Sequence, residues 1–115
     1  MSELQAAPAL PVEIVVLEPL RCASVHGFGT SPEAVAWARL ATWAGPRGLL
    51  EDLPKHRIFG FNNPSPSVGS PNYGYEFWIE LGDAYPDWTG DDDARLVNFA
   101  GGEFAVAHCT GVEAI

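Results

Sequence analysis

The sequence predicts an α+β domain: an antiparallel sheet with a helix packed on one face, laid out as a strand-helix-strand-strand repeat whose second unit is incomplete. Three observations predict it. Residues Tyr73 to Leu81 alternate, with Tyr75, Phe77, Ile79 and Leu81 on one side and Gly74, Glu76, Trp78 and Glu80 on the other, as side chains of a half-buried strand do. Val12 to Leu17 is a β-branched, apolar run, the composition of a strand. Between them, Thr30-Ser31-Pro32-Glu33 joins N-cap candidates to a proline suited to the first helical position and an acid that complements the helix dipole.

Taken in order, residues 1–11 read as a flexible leader, because Pro8 and Pro11 interrupt regular structure. The strand at Val12–Leu17 is interrupted at Glu18-Pro19, since proline cannot donate to a ladder, and resumes over Arg21–His26, so one long strand with a kink or bulge is expected. The helix is expected to run from Pro32 to about Ala44, where Gly45-Pro46 stops it. Ala36, Trp37, Leu40, Ala41, Trp43 and Ala44 form its apolar side, with Trp37 and Trp43 in the core and Arg39 and Thr42 facing water. Residues 45–56 are a connection, in which His56 is expected to be solvated. A short strand follows at Arg57–Phe61, then a loop dense in Asn, Pro, Ser and Gly up to Asn72. After the alternating strand, residues 83–94 form a polar excursion around Asp91-Asp92-Asp93, read as a solvated acidic loop because it lacks the alternate ligands and glycine of a calcium loop. Strands at Arg95–Phe99 and Glu103–Cys109 close the chain, joined at Gly101-Gly102.

A length of 115 residues suits one domain, and 15 acidic against 6 basic residues leave a net charge of −9. That charge offers no footprint for phosphate backbones and favours cations, so direct nucleic-acid binding is not expected. No apolar run is long enough for a membrane span, and nothing resembles a signal peptide. Cys22 and Cys109 make no disulfide framework and are read as reduced thiols of a cytoplasmic protein.

The second face of Tyr73–Leu81 carries the functional expectation. Glu76 stands two residues from Trp78 among aromatic residues, and a buried carboxylate needs a cation or hydrogen-bond donors. Either this face is wet, with Glu76 and Glu80 solvated, or it is a hollow in which an anionic anchor and aromatic walls hold a small organic ligand. An ion pair from Arg21, Arg57 or Arg95 would give Glu76 a structural role instead. Other chemistry is poorly supported. Cys22, His26, His108 and Cys109 lack zinc-ligand spacing, so no metal or other cofactor is expected. Cys22 and His26 lie ~13 Å apart on an extended strand, too far for a nucleophile and its base.

Shifting the chain by 82 residues lays its end over its beginning: Ile14-Val15 meets Leu96-Val97, Leu17 meets Phe99, the break at Pro19 meets that at Gly101, and Ala23, His26 and Gly29 meet Ala105, His108 and Gly111. After a gap of two residues, Glu33-Ala-Val35 meets Glu113-Ala-Ile115. A complete duplication would need about 165 residues. The expected consequence is an uncovered sheet that pairs with a second copy as a homo-oligomer, a dimer with or without exchanged elements.

The series Val12–Gly27, the helix with Trp37, Leu40 and Trp43, then Arg57–Pro64, Tyr73–Ile79 and Gly101–Ala107 resembles the GyrI-like small-molecule-binding domain, a family that includes effector-binding domains of AraC-type and MerR-type transcription regulators. The resemblance implies two strand-helix-strand-strand repeats with a ligand groove between them, and multidrug-type binding. It assigns the acidic anchor of the Tyr-x-Tyr-Glu-x-Trp motif to Glu76, with Trp78, Tyr73, Phe61 and Trp37 as aromatic lining. Relative to that family, residues 12–115 lack the last helix and strands, and no helix-turn-helix precedes them. The function expected is a stand-alone binder of hydrophobic or cationic small molecules. The alternatives are a hydrolase of electrophilic small molecules, with Glu76 activating water, and an inhibitor module that meets a protein partner through its acidic surface.

Overall fold

The computed structural model describes residues 12–107. The leader at 1–11 and the residues from His108 onward, including Cys109 and the Glu113-Ala-Ile115 match, lie outside the described residues. The described residues form six strands and one helix: β1 (Val12–Leu17), β2 (Leu20–Gly29), α1 (Pro32–Ala44), β3 (Ile58–Asn62), β4 (Tyr73–Glu80), β5 (Arg95–Phe99) and β6 (Gly102–Ala107), with a 3-10 turn at Leu49–Glu51. This is the expected α+β class, all antiparallel, with α1 packed on β2 and β4. Most strands and the helix fall where the alternation and the cap signals put them, within one or two residues at each described end. β2 runs to Gly29, three residues past His26, and the single kinked strand expected over Val12–His26 is two strands in separate sheets, parted at Glu18-Pro19. The described residues divide into two compact units, Leu20–Phe99 and the segments on either side of it.

The Leu20–Phe99 unit is a four-stranded sheet in the order β3-β4-β2-β5. One face meets α1. Ala23 and Val25 of β2, Ile79 of β4 and Leu81 just beyond it pack with Leu40, Trp43 and Ala44 of the helix, closed by Leu49 and Ala94. Each fully buried aliphatic side chain contributes about 1.5–3 kcal/mol, so this cluster is the main cohesive element of the unit. Gly27 lets the helix approach, because a Cβ there would come within 2.6 Å of the Pro32 carbonyl oxygen and 2.7 Å of the Ala36 nitrogen. The excursion at 82–94 is tied down by Arg21, whose guanidinium donates to the carbonyls of Ala84, Tyr85 and Trp88 at 3.0, 2.6 and 2.7 Å.

Two expectations are corrected here. Trp43 is in the core, but Trp37 is 46% exposed and only meets Phe77 edge-on at 5.5 Å, because its position on α1 lies at the margin of the buried stripe. His56 is buried, not solvated, and Nδ1 donates to the Glu80 carbonyl at 2.8 Å. Asp91, Asp92 and Asp93 are exposed, as expected of an acidic loop, but Asp91 is also bonded to the unit beneath it. Its carboxylate accepts from the indoles of Trp43 and Trp88 at 3.0 and 3.2 Å and from the backbone of Asp93 and Ala94, both at 2.8 Å.

The second unit is a two-stranded ribbon of β1 and β6, paired from Val12 opposite Ala107 to Leu17 opposite Gly102. Val12, Ile14 and Val16 are 62–69% exposed, and every residue of β6 is exposed. Among the described residues no helix is long and apolar enough to cross a membrane.

Candidate functional site

The face of the sheet opposite α1 brings residues from all four strands together. Pairing of β2 with β4 sets Ser24 opposite Trp78 and His26 opposite Glu76. Pairing with β5 sets Arg95 opposite Ser24, and β3 brings Phe61 opposite Glu76. By the two-residue period, Ser24, Glu76, Trp78, Phe61 and Arg95 therefore share one face.

Glu76 is 3% exposed and receives four donors. Ser24 Oγ donates to Oε2 at 2.6 Å, Trp78 Nε1 to Oε2 at 2.7 Å, Arg95 NH2 to Oε2 at 2.9 Å, and Asn63 Nδ2 to Oε1 at 2.9 Å. Burial by itself would raise the carboxyl pKa. The hydrogen bonds from Ser24, Asn63 and Trp78, together with the Arg95 charge, outweigh it and hold the group below its ordinary value. Glu76 is thus an ionised, buried carboxylate that ties together β2, β4, β5 and the loop after β3. An arginine pairing of this kind gives it a structural role, and Arg95 supplies it.

The loop after β3 is held over Glu76 by its own bonds. Asn63 N donates to the Gly74 carbonyl at 2.8 Å and Gly74 N donates to the Pro64 carbonyl at 2.9 Å. Only a residue without Cβ fits at 74, since that atom would overlap the Asn63 carbonyl. His26 Nε2 lies 2.6 Å from the same Asn63 oxygen; a carbonyl only accepts, so Nε2 carries the proton.

Glu76 forms part of the wall of a cleft of ≈ 510 Å³, with Ser24, His26, Asn63, Arg39, Arg95 and the acidic run Asp91–Asp93. The cleft is polar, which departs from the aromatic-walled hollow expected. Its aromatic neighbours lie elsewhere on the same face: Trp78 meets Phe61 edge-on at 5.1 Å and Phe99 at 5.8 Å. Of the residues expected to line a site, Glu76, Trp78 and Phe61 come together. Tyr73 and Trp37 do not join them. Tyr73 has the opposite parity and its hydroxyl donates to Glu33 of the helix at 2.8 Å, while Trp37 packs on Phe77, on the helix side of the sheet.

The remaining candidates resolve simply. Glu80 is paired with Arg57 at 2.8 Å and is not solvated. Cys22 is a free, buried thiol whose pKa is pushed up to about 11 by burial and, secondarily, by the nearby Glu80 charge. Among the described residues no three His, Cys, Asp or Glu side chains are placed to hold a metal ion; His108 and Cys109 lie outside them. Ser24 and Asn63 were not singled out from sequence. Ser24 carries one weak signal, a lone hydroxyl in the apolar run from Cys22 to Val25; Asn63, in a turn-rich loop, carries none.

No family model matches the chain, and no curated protein or solved structure matches it either.

Proposed function

We propose that the chain is a GyrI-like small-molecule-binding domain and that the cleft beside Glu76 accepts a compact organic cation. The observation that carries this reading is the asymmetry of the Glu76–Arg95 pair. The carboxylate is 3% exposed and held by three neutral donors, whereas the Arg95 side chain is 67% exposed and meets it through one nitrogen. Arg95 can therefore swing into water, where its guanidinium is rehydrated, while Ser24, Asn63 and Trp78 keep the carboxylate hydrogen-bonded. An ammonium or amidinium group entering the cleft would then take its place. Asp92 and Asp93 in the cleft wall and the net charge of −9 favour the same sign of ligand. The pair Phe61–Trp78 offers stacking area to a ligand with an aromatic or apolar tail.

Binding fits this geometry better than hydrolysis. A carboxylate saturated by four donors and held below its usual pKa is a weak base for activating water. The buried, unpaired Cys22 fits a reducing compartment, which supports reading the protein as cytoplasmic.

Titration with a compact aromatic cation such as benzamidinium or phenethylammonium, followed by tryptophan quenching and calorimetry, tests the proposal. Glu76→Gln is expected to weaken binding by about tenfold or more, and Arg95→Ala to tighten it, because the internal competitor is gone. Absence of binding to the unaltered chain at millimolar cation, or equal affinity in Arg95→Ala, would overturn it.

A further inference from the structure

We infer that the outer edge of β6 is a self-association surface, at which a second copy of the chain adds its own β6 antiparallel across a two-fold axis. The first ground is the state of the ribbon. Two paired strands are marginal in water, and three or more with a covered apolar face are needed for independent stability. Here Val12, Ile14 and Val16 are 62–69% exposed on one side, and Val106 is 41% exposed on the other. Exposed apolar area of this kind marks an interaction surface.

The second ground selects β6 over β1. Under the shift of 82 residues, β1 corresponds to β5 and the start of β2 to β6. The pairing follows the same correspondence: Val15 opposite Phe104 maps onto Val97 opposite Cys22, and Leu17 opposite Gly102 maps onto Phe99 opposite Leu20. In the four-stranded sheet β5 is an edge, whereas β2 is internal, with β5 on one side and β4 on the other. By the same pattern β1 is the edge of its ribbon and β6 is the strand that takes a further neighbour. Among the described residues no second strand lies beside it.

The third ground is self-complementarity. Gly102-Glu-Phe-Ala-Val-Ala107 contains no proline and a single charge, so it lacks the devices that blunt a sheet edge. Centred on Ala105, an antiparallel β6–β6 pair sets Phe104 opposite Val106 of the second copy, an aromatic–β-branched pair that stabilises sheets. Glu103 then faces Ala107, and like charges do not meet. The product is a four-stranded sheet in the order β1-β6-β6-β1, closed by an isologous two-fold.

Sedimentation equilibrium of the full chain over about 1–200 µM is expected to show a mass approaching twice 12.4 kDa. Val106→Lys places a cation at the centre of the edge and is expected to raise the dissociation constant at least about tenfold. All four tryptophans lie within Leu20–Phe99, so an unchanged emission spectrum shows that this variant keeps the larger unit folded. Independently of that variant, Ala105→Cys in a Cys109→Ser background faces its own copy and is expected to form a disulfide-linked dimer faster than Glu103→Cys in the same background. A monomer at the highest concentration, a dimer indifferent to Val106→Lys, or equal cross-linking from positions 103 and 105 would each overturn the inference.

Discussion

Truncating Glu76 to alanine removes the acceptor on which four donors converge, and the structure sets how much that costs. Ser24, Asn63 and Trp78 each lose a partner at 2.6–2.9 Å in a buried or half-buried setting. At about 1 kcal/mol for each stranded donor, the loss is about 3 kcal/mol. A fully buried ion pair broken on one side costs about 3–5 kcal/mol, but Arg95 is 67% exposed and rehydrates, so the lower figure applies. Glu76→Gln retains the volume and one carbonyl oxygen while losing the charge, and is expected to cost about 1.5–2 kcal/mol. Arg95→Ala leaves the carboxylate its three neutral donors, so it is expected to cost about 1–2 kcal/mol, less than Glu76→Ala. Urea unfolding followed by tryptophan fluorescence measures all three, and the order is the diagnostic. If Arg95→Ala destabilised as much as Glu76→Ala, or if Glu76→Ala were neutral, the carboxylate would not be the node that joins these strands. Ligand titrations of Glu76 variants belong in urea-free buffer, where the folded population dominates.

Two further outcomes follow from the same electrostatics. Glu76, Glu80 and Asp91 are all held below their ordinary pKa values: Glu76 by donors that outweigh its burial, Glu80 first by Arg57, and Asp91, at about 2, first by the Trp43 indole. A carboxyl with a depressed folded pKa stabilises fully above its unfolded value and loses that stabilisation as pH falls through the folded one. Urea midpoints should therefore stay nearly level down to about pH 4.5 and then fall steadily toward pH 2; a midpoint at pH 3 equal to that at pH 6 would contradict the assigned bonds. The Cys22 thiol, buried and raised to about 11, should resist aromatic disulfide reagents at pH 8 in a Cys109→Ser variant and react at once in denaturant, and rapid native labelling would place it at the surface instead.

Local chemistry made the elements legible. The period of two in Tyr73–Leu81 and the Ser31-Pro32-Glu33 start act over two to four residues, which is the range over which backbone geometry is set. They were enough to place β4 and α1, to put Phe77 and Ile79 on the helix side, and to put Glu76 with Trp78 on the other. The break at Pro19 also follows from one residue, because a missing N–H ends a ladder wherever it falls. Misreadings occurred where burial depends on distant partners. His56 sits between Lys55 and Arg57 and reads as solvated, yet the Glu80 carbonyl 24 residues away gives it a buried berth. Trp37 reads as core from its composition, but the width of the buried helical stripe decides its exposure.

The site divides the same way. A carboxylate among aromatic side chains must either reach water or find donors, since an unsatisfied buried charge is too costly to persist, and the sequence left both open. Which donors arrive was not evident. Trp78 is two residues away, but Asn63, Arg95 and Ser24 are 13, 19 and 52 residues away along the chain. Strand register brings Ser24 and Arg95 to the carboxylate, and a loop folded against Gly74 brings Asn63. Sequence determined that the strand would present an acid on its second face. Only the tertiary pairing decided that the acid would be enclosed, held ionised and joined to an arginine with one foot in water, because register is a property of two strands and neither one carries it alone.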